Sequence, residues 1–240
     1  MSNQEANEIE QYLSDALTEK PYGFTIGDKH LFLYPVTLGK IYRLKPIIDS
    51  LEINSENIQR DVSLEALRLA KEKKDECLTI ISYHTCQYKH EIDDVMFIEN
   101  RKALFNEELS DEDVASLMLI VLTTDRTNLF IKHFGIDKEH EDMRKVMEVK
   151  NRGDKNNFNF GGLTMYGSFI YPLLELGMSW NEIMWERSYT NLRLLLADKV
   201  NSIYVSDDER KHIRISKDRN RVNGDNKQAI LQAIQSETWD

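Results

Sequence analysis

Four side chains between positions 77 and 90 carry the chemistry of metal ligands: Cys77, His84, Cys86 and His90. Thiolate and imidazole suit zinc, but tetrahedral sites draw their ligands from paired short spacings closed by a turn. Here all four fall along one expected helix, where His84 and Cys86, two apart, do not share a face. The cysteines are nine apart, two and a half turns, so they face opposite sides and cannot bridge within that helix. Helix packing accounts for this set better than a metal does. His30 and His133 are isolated, and His133 precedes a glycine at a helix end, where a cation complements the dipole. Acids cluster at Asp93-Asp94, Asp111-Glu112-Asp113 and Asp207-Asp208-Glu209. Each cluster lies at an expected helix start, where the dipole favours negative charge, and none has the ligand spacing of an EF-hand loop. Gly161-Gly162 precedes a helix, yet no phosphate-loop or dinucleotide fingerprint occurs, and a hinge is the better reading. Catalysis has no residue to stand on, so the expectation is a non-enzymatic protein without metal or cofactor.

The chemistry that remains is that of docking. Met165, Tyr166, Phe169, Met178, Trp180, Met184, Trp185 and Tyr189 crowd one stretch, Leu163 to Val200. Methionine and aromatic side chains build adaptable grooves for apolar helices. The plain alternative is that most of them form the core of the C-terminal segment. The stretch reads as helix, break, short helix, long helix. Gly177 is a stop signal, Ser179 with Glu182 makes a capping box, and Tyr189, Leu192, Leu195, Leu196, Val200 and Ile203 share one helical stripe.

Upstream, residues 1–20 form a flexible or helical arm ended by Pro21. Two short β-type runs flank Gly27-Asp28, a tight hairpin turn with glycine at its first central position. Two strands alone are marginal in water, so this hairpin must pack on helices or join another chain's sheet. Thr37 caps a helix with Leu38, Ile41, Tyr42 and Leu44 inward, and Pro46 kinks or restarts it. Ser63 caps a long helix to about Tyr88. Further helices begin at Asp93, Ser110, Asp125 and Asp137. The expected fold is mainly α with a short N-terminal β-hairpin: a helical bundle over 21–150, an Asn/Gly-rich linker over 151–162, a smaller helical region over 163–205, and a basic tail with a short helix over 206–240.

With 240 residues, 41% hydrophobic and 30% charged, the chain can bury a real core. Its formal charge of −10 disfavours general nucleic-acid binding, because phosphate neutralisation supplies most non-specific affinity. Between Arg210 and Lys227 seven lysines or arginines meet two acids, a local +5 that leaves −15 elsewhere. The N-terminal sequence has no basic region followed by an apolar core, and no run approaches the roughly 20 apolar residues needed to span a bilayer. A cytoplasmic protein with no membrane contact is expected.

Two readings compete for the C-terminal helices. Leu176 to Met184, a break at Arg187-Ser188 and a second helix have the rhythm of a helix-turn-helix, with Arg187, Thr190, Asn191 and Arg193 as polar contacts for DNA. The other reading rests on two motifs. FTIGDKHLFLYPVTLGKIYRL, with its Pro35-Val36-Thr37 entry into a helix, resembles the opening of tail assembly chaperones of long-tailed bacteriophages. WNEIMWERSYTNLRLLLADKV, with Trp180, Glu182 and Met184 before a leucine-rich helix, is similar to their helical C-terminal part. The resemblance covers about residues 22–52 and 163–205, and 63–150 lie outside it. It implies a mostly helical, non-catalytic protein of virion morphogenesis in the host cytoplasm. Such a protein coats the apolar helices of a tape-measure-like partner before the tail tube polymerises, and self-association is a further expectation. A structural tail or connector component of the virion is the third reading.

Overall fold

The computed structural model describes residues 3–151 and 164–198. It is mainly helical, with one antiparallel hairpin near the N-terminus. Helix α1 (Asn3–Leu17) occupies the expected arm. Strands β1 (Tyr22–Ile26) and β2 (Lys29–Leu33) pair from Tyr22 with Leu33 to Ile26 with Lys29. Gly27 takes the turn with φ of +54°, a value that glycine adopts without strain. Strand alternation sends Ile26 and Leu33 inward onto the helical core, so the hairpin is covered by its own chain.

After β2 the chain enters α2 (Leu38–Ser50), where Thr37 Oγ1 accepts from the Lys40 N–H. The helix runs through Pro46 without restarting. Tyr42, expected inward, is 44% exposed, because it lines an open groove beside the buried Gly39 instead of entering the core. Next come α3 (Ser55–Arg60), α4 (Val62–Glu72), α5 (Lys74–His84) and α6 (Lys89–Asp93). The single long helix expected from Ser63 to about Tyr88 is therefore broken at Lys73, whose φ of −133° and ψ of 38° are not helical. Charge explains the break: Lys71 lies in the last turn of α4, and Asp75 and Glu76 in the first turn of α5, so each end complements its own dipole. The cap of α4 is Asp61, which accepts from Ser63, and Ser63 itself lies within the helix.

Helices α7 (Val95–Glu108), α8 (Asp111–Thr123) and α9 (Thr127–His133) follow. Asp94 caps α7, Ser110 and Asp113 form a reciprocal capping box on α8, and Gly135 ends α9 with φ of +70°. Helix α4 packs along α8, and α5 against α7, α8 and α2. Between them lies the main core, built on Leu44, Leu69, Leu78, Ile81, Phe105, Val114 and Met118. A second cluster joins Leu38 of α2 to Ile170, Leu173, Ile183 and Leu192.

Those last residues stand on four short elements: a π-helix π1 (Tyr166–Ile170), α11 (Tyr171–Glu175), a second π-helix π2 (Glu182–Glu186) and α12 (Tyr189–Ala197). They belong to the same compact unit as the hairpin and α1 to α9. Helix α10 (Ile136–Asn151) leads out of that unit, and the described part of a second unit is residues 139–151. Most of the linker at 151–162 and all of the basic tail lie outside the described residues. Among the described residues no single helix is long and apolar enough to cross a membrane.

Candidate functional site

The two π-helices shape the site. In π1 the Tyr171 N–H reaches back five residues to the Tyr166 carbonyl. Pro172 follows at once, and it has no N–H to donate and crowds the carbonyl four residues behind it. Widening the turn ahead of the proline relieves that crowding. In π2 the Arg187 N–H likewise reaches Glu182, 2.9 Å away, after Ser179 and Glu182 have capped the segment reciprocally.

The widened turns face α2 across a groove of about 230 Å³ lined by Gly39, Tyr42, Ile170, Trp180, Met184 and Trp185, with Tyr166 and Arg43 at its sides. Tyr166 and Trp180 stack on each other, ring centroids 6.1 Å apart and planes 17° from parallel. They remain 64% and 47% exposed. Gly39 lets one wall of the groove pack closely: a Cβ there would lie 2.3 Å from the Trp185 ring, so only glycine admits the indole against α2. The far side of Trp185 meets the Lys89 ammonium, 5.5 Å from the ring centroid, and the small cluster of Cys86, Ile92 and Ile98.

Of the eight docking candidates read from the sequence, Tyr166, Trp180, Met184 and Trp185 line the groove. Met165 is exposed beside it. Phe169, Met178 and Tyr189 pack against the Leu38 cluster, Phe169 and Tyr189 with rings 5.5 Å apart. The groove's other wall, Gly39, Tyr42 and Arg43, was missed by sequence reasoning. Its signal was a glycine inside a helix next to an aromatic residue one turn on.

The remaining candidates are dispersed. Cys77 sits in the main core and Cys86 in the small cluster, so burial pushes their thiols up to about 12 and about 11. His84 is buried and held neutral, pushed down to about 3 first by loss of solvent and then by the nearby Lys40 charge. His90 is stacked on Tyr88 at the surface. Among the described acids, Asp93 pairs with Lys89 and Arg43, Asp111 with Lys74, and Asp94 and Asp113 cap helices. Asp207, Asp208 and Glu209 lie outside the described residues, as does Gly161-Gly162.

The helix-turn-helix residues are largely engaged within the chain. Thr190 is buried, Asn191 donates to Glu19 (3.0 Å), and Arg193 bonds Asp125 (2.7 Å) and Asn128 (3.2 Å). No protein-family model, curated protein or solved structure matches the chain.

Proposed function

We propose that the chain is a non-enzymatic assembly chaperone of bacteriophage tail morphogenesis, whose groove between α2 and the two π-helices holds an apolar helix of a tape-measure-like partner. One observation carries this reading: the stacked Tyr166 and Trp180 rings stand half-exposed over an apolar groove whose floor and walls include Gly39, Ile170, Met184 and Trp185. Helix-in-groove recognition uses such a cleft, and exposed tryptophan and tyrosine are the side chains that most often dominate binding energy. Burying their exposed parts, on the order of 200 Å² at ~25 cal/mol per Å², contributes about 5 kcal/mol before the costs of association. A net charge of −10 keeps such a loaded complex dispersed.

Co-expression with a long apolar-helix partner of tape-measure type tests the reading. The wild-type chain is expected to raise the soluble fraction of that partner. Tyr166→Ala combined with Trp180→Ala should remove most of the gain while leaving the chain folded. No gain with the wild-type protein, or an undiminished gain with the variant, would count against it. The helix-turn-helix reading draws less support, since of its four polar contacts only Arg187 has an exposed side chain not bonded to another side chain within the described residues. It predicts duplex binding at low salt that Arg187→Ala with Arg193→Ala abolishes.

A further inference from the structure

On the other side of Trp185 lies a larger cavity, about 870 Å³, and its most unusual lining residue is Lys40. Lys40 is 1% exposed, yet its ammonium has no ion pair and no hydrogen bond among the described residues. Its ammonium lies 5.9 Å from the centre of the Tyr34 ring and within electrostatic reach of Glu91, Cys86 and His84, none of which is bonded to it. An unpaired ammonium is among the costliest groups to bury, and an apolar side chain of similar length would serve the fold better.

We infer that this cavity is a carboxylate-binding site in which Lys40, the first turn of α2 and the Thr37 hydroxyl hold the anion. This goes beyond the groove reading and does not depend on it.

Three further observations support the assignment. Lys40 lies in the first turn of the 13-residue α2, the positive end of its dipole, and no acid of its own occupies that turn. Thr37 Oγ1 accepts from the Lys40 backbone N–H, which leaves its hydroxyl proton free to donate into the cavity. The same cavity already shows the chemistry once. Ser188, bridged to Thr37 across the chain, begins α12, and Glu19 Oε1 accepts from its N–H at 2.9 Å and from Asn191 at 3.0 Å.

Charge sets the ligand class. Of the other charged groups lining the cavity, Lys89 and Asp93 pair with each other, Glu19 and Glu186 are bonded to Asn191 and Asn181, and Asp94 caps α7. Lys40 is the one lysine of the lining with no carboxylate bonded to it; because two lysines face four carboxylates there, the site suits a single carboxylate placed on Lys40 itself, and a phosphate dianion would be repelled by the surrounding acids. Burial pushes the Lys40 ammonium down to about 8, so it is still mostly protonated at neutral pH and gains from a partner. Tyr88 and Trp185 also line the cavity and leave room for a ring attached to the carboxylate.

The test uses phenylacetate, its neutral isostere 2-phenylacetamide, and the peptide acetyl-Phe-Glu-amide, read by the Trp185 indole N–H resonance in the full chain at low salt. Phenylacetate is expected to shift that resonance saturably and the amide is not. Lys40→Met should weaken phenylacetate about tenfold or more, the factor that one charge-assisted hydrogen bond supplies. No saturable shift, equal binding of the amide, or unchanged affinity in a folded Lys40→Met protein would each overturn the assignment. The first two comparisons use only the wild-type chain and stand whether or not the variant folds. Tighter binding of the peptide would assign the carboxylate to a partner protein's side chain, and tighter binding of phenylacetate to a small molecule.

Discussion

At the scale of single residues, the chain solves the burial of charge in two opposite ways. Glu65 is fully buried but saturated: it accepts from Arg68 at 2.6 and 3.1 Å, from the Asn54 N–H at 2.8 Å and from Asn57 Nδ2 at 2.8 Å. The Arg68 bond above all holds its carboxyl down at about 2. A carboxyl held that low when folded stabilises the protein above its unfolded value, and the contribution fades as pH falls from about 4.5 toward about 2. Glu65→Gln should therefore lose about 1–3 kcal/mol in urea unfolding at pH 7, and the deficit should shrink on acidification. Lys40 is the unsaturated counterpart. Its folded value of about 8 lies below the ordinary 10.5, so the unfolded chain binds more protons between those limits and stability rises with pH across them. Lys40→Met is expected to be more stable than wild type by about 1–4 kcal/mol at pH 7, with the gap closing above pH 8. A variant less stable at pH 7 would mean that the ammonium has a partner after all.

At the scale of elements, what the sequence revealed depended on how local the cause was. The hairpin, the Thr37 cap, the Ser110–Asp113 box, the Ser179–Glu182 box and the Gly135 and Gly177 stops each depend on residues within a few positions, and each was legible. The break at Lys73 was written in the Lys71 and Asp75-Glu76 charges but masked by apolar periodicity running across it. The π-turns were not legible, because helical spacing alone does not distinguish i−5 from i−4 bonding. Half of the groove was hidden for a longer-range reason: Gly39 and Trp185 meet across 146 positions, and only packing brings them together. Lys40 was overlooked because a lysine in a helix reads as solvated. Gly39→Ala tests the element-level account. Alanine should gain up to ~1 kcal/mol in helix propensity but lose more to the displaced indole, for a net loss of about 1–2 kcal/mol and an altered tryptophan emission. A net gain would mean that Trp185 yields freely and that its seat against α2 does not require glycine.

At the scale of the whole molecule, charge and apolar surface point to different partners, and salt separates them. The chain carries −10 overall, with a local +5 confined to residues 210–227. An apolar helix seated on Tyr166, Trp180 and Met184 would be held by area removed from water, which salt barely weakens and which leaves a negative heat-capacity change. Duplex DNA would be held by counterion release, and six to ten phosphate contacts lose roughly 10³–10⁵ in affinity between about 50 and 200 mM salt. The chaperone reading therefore predicts that affinity for a tape-measure-like helix changes by less than about threefold over that range, because only rim charges feel the screening. Calorimetry at several temperatures should also give a heat-capacity change that falls in magnitude in the Tyr166→Ala, Trp180→Ala variant. A steep loss of affinity with salt, or a heat-capacity change indifferent to those two rings, would move the partner off the groove and onto charged surface elsewhere in the chain.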